Sequence, residues 1–173
     1  MAVNVGIGDL AMIVEEEDNG DVDEAREVYQ KLSALLVGAE IDSEWEEPES
    51  LNDDEWDGHL DQMGSIAYEE LRRMARAFLG ERSHLASVGA PGFFVPVRFL
   101  DPIRCDEEPG VPGNFLGSAP VLLEELDSLR AELGMAAVPE RATRASDDVS
   151  TAWNVLYYVA RDSVTYRSAI RLG

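Results

Sequence analysis

The residues best suited to chemistry are few. Ser83-His84 stands just before a glycine-rich turn, Gly89-Ala90-Pro91-Gly92, with Asp101 and Ser118 further along the chain. A serine nucleophile, an imidazole base and an orienting carboxylate can be assembled from Ser83, His84, Asp101 and Ser118. That set gives one reading, an enzyme or a small-ligand protein with a pocket around them. Against it, residues adjacent in sequence rarely aim at each other as nucleophile and base, and no G-x-S-x-G elbow is present. A His84 that hydrogen-bonds the backbone and locks the following turn is the simpler account, and no catalytic residue is assigned.

Metal chemistry finds even less support. His59 and His84 are the only histidines and Cys105 the only cysteine, with no zinc-binding spacing among them. Glu15-x-Glu17-x-Asn19-Gly20 imitates the first half of a calcium-binding EF-hand loop. Position twelve, however, which must supply a bidentate carboxylate, is Arg26. Gly6-Ile7-Gly8 resembles the start of a dinucleotide fingerprint but lacks the third glycine, and an acidic helix follows where a pyrophosphate would sit. No metal and no cofactor is expected.

Charge is the strongest signal. Of the 35 acidic residues, twenty lie between Met1 and Asp61, where Arg26 and Lys31 are the only basic ones. The first third therefore carries −18 of the formal −21. A coat adapted to a salty cytoplasm would be spread evenly, which this skew contradicts. Within it, Glu44-Trp45-Glu46-Glu47 and Asp53-Asp54-Glu55-Trp56 place two tryptophans inside acidic clusters. Either the indoles hold a long loop against the domain, or they anchor an interface that the carboxylates steer.

The elements that position these residues follow from periodicity. Val3, Val5 and Ile7 alternate as in a half-buried strand. Asp9 can cap a short helix, Asn19-Gly20 reads as a turn, and a helix opening at Asp21 or Asp23 runs to Gly38. From Glu40 to Asp61 the pattern dissolves into an acidic loop. A helix with Ile66, Leu71, Met74, Ala75, Phe78 and Leu79 on its apolar side ends at Gly80. Phe93–Val97 reads as a strand whose Pro96 belongs at an edge, and 102–117 reads as irregular. Ser118 caps a helix with Pro120 in its first turn, ending at Gly134. Ser146 begins the last one, with Trp153, Leu156, Ala160 and Val164 in its buried stripe. The expectation is an α+β single domain spanning 1–173, with four or five helices packed on a small sheet and a long acidic loop at about 40–61.

Ser83-His84-Leu85, Gly92-Phe93-Phe94-Val95-Pro96-Val97, Leu116-Gly117-Ser118 and Leu122-Leu123-Glu124-Glu125-Leu126 together resemble a family of small acidic bacterial proteins with no known activity. Glu47-Pro48-Glu49 and the closing Trp153, Leu156, Ala160, Ser163 pattern are similar to it as well. The resemblance implies a shared fold and supplies no reaction.

These observations favour a non-enzymatic protein-interaction module over an enzyme. The expected partner is a basic protein, with an immunity protein or antitoxin as the most specific form. Its contact residues are expected among Glu44, Trp45, Glu46, Glu47, Asp53, Asp54, Glu55 and Trp56. Direct nucleic-acid binding is not expected, because phosphate contacts draw on Lys and Arg. Neither a membrane span nor a secretory leader is expected, and a lone Cys105 fits a reducing, cytoplasmic compartment.

Overall fold

A computed structural model describes residues 2–15, 19–51, 61–142 and 146–173. In β1 (Ala2–Gly6) Val3 and Val5 are buried while Ala2 and Asn4 face outward, the alternation a half-buried strand requires. Two helices follow, α1 (Asp9–Glu15) and α2 (Asn19–Gly38). The turn expected at Asn19-Gly20 is absorbed into the start of α2, one helical turn earlier than the apolar periodicity indicates. After the coil from 40 to 51, the short strand β2 (Asp61–Gly64) pairs antiparallel with β1, setting Val3 opposite Met63.

The helix α3 (Ser65–Leu79) buries Ala67, Tyr68, Leu71 and Ala75. It ends at Gly80, whose φ of 96° only glycine adopts without strain. The expected apolar side needs correction at its ends. Ile66 is 70% exposed and Phe78 57% exposed. Two residues of helix turn the chain by about 200°, so Ile66 points away from the buried Tyr68. Phe78 and Leu79 occupy the last turn, where solvent is close.

One turn of helix, α4 (His84–Ser87), is capped by Ser83, whose Oγ accepts the Ala86 N–H. The strand β3 (Gly92–Val95) stops just before Pro96, so the proline's missing donor falls outside the ladder. The stretch 102–117, expected to be irregular, contributes β4 (Ile103–Arg104) and the start of β5 (Phe115–Ser118). Ser118 then caps α5 (Ala119–Arg130) by accepting the Val121 N–H at 3.3 Å. Asp148 caps α6 (Val149–Tyr166) by accepting the Ser150 N–H at 2.9 Å. The chain closes with β6 (Ile170–Leu172).

Among the described residues, six strands form one mixed sheet in the order β2-β1-β6-β3-β5-β4, with only β3 and β5 parallel. Alternate residues feed two cores. Val3, Val5, Met63, Phe94, Ile170 and Leu172 pack on one face beneath α3 to α6. Phe93, Val95, Leu116 and Ala169 pack on the other, against Leu10 of α1, Tyr29, Leu32 and Leu36 of α2, and Trp45. This is the expected α+β class. Of the described part of the acidic first third, β1 lies in the sheet, while α1, α2 and the coil at Trp45 cover the sheet face opposite the larger helical layer.

Candidate functional site

The acidic layer is built on α2 and the coil that follows it. Tyr29, Leu32 and Leu36 pack in the core on the sheet and Val22 is buried, which leaves Asp21, Asp23, Glu24 and Glu27 on the solvent side. Beyond the helix, burial alternates along the coil as it does along an extended strand. Glu40, Asp42, Glu44 and Glu46 are exposed, Ile41 and Ser43 are half-buried, and Trp45 and Glu47 are buried. Period-two patterning inside this acid run is the sequence signal that separates its two faces.

Trp45 and Glu47 hold that coil down. The indole N–H donates to the Arg167 carbonyl at 2.9 Å, and the Trp45 carbonyl accepts from Ser33 Oγ at 3.3 Å. Both oxygens of the Glu47 carboxyl accept hydrogen bonds, one from Ser168 Oγ at 2.5 Å and the other from the Ala169 N–H at 2.7 Å. Ser168 Oγ in turn accepts the Gly8 N–H at 2.8 Å, and Ser163 Oγ donates to the Ser168 carbonyl at 2.6 Å. One buried carboxyl thereby joins the acidic coil to the α6–β6 turn and to the turn after β1. Burial pushes its pKa up to about 7; the two donors pull it down and Asp9 adds a smaller upward push.

Ion pairs compensate part of the layer. Arg26 bridges Asp23 and Glu49, and Lys31 lies 3.3 Å from Glu27 while donating to the Pro109 carbonyl at 2.6 Å. Asp9 accepts from Arg171 at 2.9 Å and from the Tyr29 hydroxyl at 3.2 Å. Burial, reinforced by Asp9 and Glu47, pushes the Tyr29 phenol well above its ordinary range, so it keeps the proton it donates to Asp9. Between α1, α2 and the 110–112 turn lies a cleft of about 350 Å³.

The residues of the alternative pocket occupy a different part of the molecule. His84 is 1% exposed, and both ring nitrogens are taken by backbone. Nδ1 accepts the Ser118 N–H at 2.9 Å, which makes Nε2 the protonated nitrogen, donating to the Leu100 carbonyl at 2.9 Å. The Glu125 carboxylate accepts from Ser83 Oγ, the His84 N–H and the Leu85 N–H, all within 2.9 Å. Ser83, His84 and Ser118 are therefore brought together as a buried network in which each already has its partners. Asp101 is not part of it: it stands exposed, 3.7 Å from Arg82. Of the expected contact residues, Glu44 and Glu46 are exposed, Trp45 and Glu47 buried, and Asp53, Asp54, Glu55 and Trp56 lie outside the described residues. Among the described residues no group of three or more His, Cys, Asp or Glu could hold a metal ion.

A family model described as "Putative DNA-mimic protein" matches residues 75–172, more than half of the chain. The chain belongs to this DNA-mimic family. No curated protein and no solved structure matches it. The match bears out membership of an acidic family and does not single out the individual motifs. It corrects the partner expectation, which set nucleic acid aside in favour of basic proteins in general: the family's description brings nucleic acid back as the thing imitated. Among the described residues no helix is long and apolar enough to cross a membrane. The matched stretch spans the end of α3 through β6 and carries thirteen acidic against ten basic residues. Nearly all of the negative excess of this DNA-mimic family member thus lies outside the match, in the chain that precedes it.

Proposed function

We propose that this chain is a non-enzymatic inhibitor that occupies the nucleic-acid-binding face of a DNA-binding protein. An immunity protein or antitoxin directed at a nuclease is the most specific form of that reading. The observation that carries it is that, among the described residues, α2 and the coil after it hold a dense set of exposed carboxylates on one layer of a DNA-mimic family fold.

Charge density supports it. An α-helix rises ~1.5 Å per residue, so Asp21, Asp23, Glu24 and Glu27 put four carboxylates into ~9 Å of α2. Each strand of duplex DNA carries one charge per ~3.4 Å of axis, and four carboxylates at intervals of ~3 Å come near that spacing, with Arg26 and Lys31 offsetting Asp23 and Glu27. Along the coil, Asp42, Glu44 and Glu46 project from every second residue, ~6–7 Å apart for extended backbone. That interval resembles the separation of successive phosphates on one DNA strand. Trp45 and Glu47 serve this surface from beneath, as anchors that hold the row of carboxylates in register.

Capture from lysate of the source, with parallel elution by salt and by duplex DNA, tests the reading. A DNA-binding protein released by both supports it. Retained proteins that duplex DNA does not displace, or that bind no DNA, would contradict it. The Asp42→Asn, Glu44→Gln, Glu46→Gln variant is expected to capture less at low salt, with the difference from the parent shrinking as salt rises.

A further inference from the structure

Among the described residues, the cleft beside α2 sets uncompensated carboxylates next to a concave, partly apolar surface. Asp23, Glu27, Glu49 and Asp9 each have a cation within 3.5 Å. Asp21 and Glu24 have no cation and no hydrogen-bond partner among the described residues, although both line the cleft. They sit three residues apart, hence on one side of α2. Val28, Phe93 and Pro112 supply apolar wall, and the Tyr29 ring meets Phe93 edge-on at 5.9 Å. The Asp9–Arg171 pair closes one side, so Asp9 is already satisfied and does not draw a ligand away from the two free carboxylates.

We propose that this cleft is a socket for one arginine side chain of the DNA-binding partner, an assignment that rests on the reading above. Three properties select arginine. Its planar fork can donate to two carboxylates at once. Its guanidinium is less strongly hydrated than a lysine ammonium, so it loses less on entering a cleft with apolar walls. Proteins that bind DNA also reach phosphate oxygens with arginine, so a surface replacing DNA must receive such side chains. At about 350 Å³ the cleft has room for one. The apolar wall lowers the local dielectric, which strengthens the pairing relative to the open carboxylates of the coil.

Backbone-amide NMR of the full chain, titrated with arginine amide and separately with lysine amide at low salt, tests the assignment. The expected result is saturable shifts at residues 9–13, 21–29 and 110–111, with arginine amide binding more tightly than lysine amide. Asp21→Asn/Glu24→Gln should weaken that binding by about tenfold or more, while Glu81→Gln/Glu132→Gln, outside the acidic layer, leaves it unchanged. Both pairs are exposed, and each variant's spectrum without additive reports whether it is folded. Unsaturable shifts spread over the whole acidic layer, or equal binding by parent and Asp21→Asn/Glu24→Gln, would overturn the socket. The two readings fail separately. If the cleft variant binds the captured partner as the parent does, and duplex DNA still competes, then the socket is wrong and the mimicry stands.

Discussion

Replacing Glu47 with Gln should change how stability depends on pH. In the folded protein the carboxyl is 8% exposed and its pKa is pushed up to about 7, chiefly by burial, against 4.5 ordinarily. The folded state therefore holds a proton that the unfolded chain has released across that interval. The stabilisation is complete below about pH 4.5 and is lost as pH rises through 7. At ~1.4 kcal/mol per pH unit the whole effect is about 3 kcal/mol, of which about 2 kcal/mol falls between pH 5.5 and 8.5. Glutamine keeps the size and both contacts, accepting from the Ala169 N–H and donating to Ser168 Oγ, and it does not ionise. Urea unfolding of parent and Glu47→Gln at half-unit steps from pH 5.5 to 8.5 isolates this group, because the other carboxylates contribute equally to both. The difference should move in favour of the variant by about 2 kcal/mol, levelling off above pH 7. A difference that stays constant over the range would refute the buried-carboxyl account of how the coil is held.

Three further outcomes follow from the packing. His84→Ala should cost about 2–4 kcal/mol, since it strands the buried Ser118 N–H, removes the bond to the Leu100 carbonyl and opens a cavity beside Phe99, measured by urea midpoint. Gly117→Ala should cost about 1–3 kcal/mol in the same assay, because a Cβ there overlaps the Phe94 ring across the β3–β5 pairing. Trp45→Phe removes the bond to the Arg167 carbonyl while keeping most of the apolar burial, at a cost of about 1 kcal/mol. Amide exchange should then rise selectively from residue 41 to 49, and unchanged exchange there would contradict the anchoring role of the indole.

The helices were legible wherever a cap and an apolar period coincide. Ser118 with Pro120 fixes the start of α5, and Leu122, Leu126 and Leu129 give its buried face. The sheet was half hidden. Val3 and Val5 reveal β1 and the Phe93 run reveals β3, but β2, β4, β5 and β6 hold four residues or fewer. That is too short for period two to rise above noise, and their burial is set by neighbours distant in sequence. Asp61-Gln62-Met63-Gly64 becomes a strand because β1 lies beside it, not through its own propensity. At the candidate site, the concentration of charge was legible and its geometry was not. Nothing in an acid run distinguishes Glu47, which turns inward to Ser168, from Glu46, which faces solvent, except the alternation begun at Glu40. Likewise His84 was visible as a candidate, whereas its backbone partners, Leu100 and Ser118, depend on the β3–β5 pairing.

The most direct test of the central claim is competition for a captured DNA-binding partner, followed by the anisotropy of a labelled duplex as this protein is added. The account predicts full displacement of the duplex, with apparent Kd for DNA rising in proportion to added protein and the effect weakened by Asp42→Asn, Glu44→Gln, Glu46→Gln together. A ternary complex, in which partner holds this protein and the duplex at once with unchanged affinity, would contradict it.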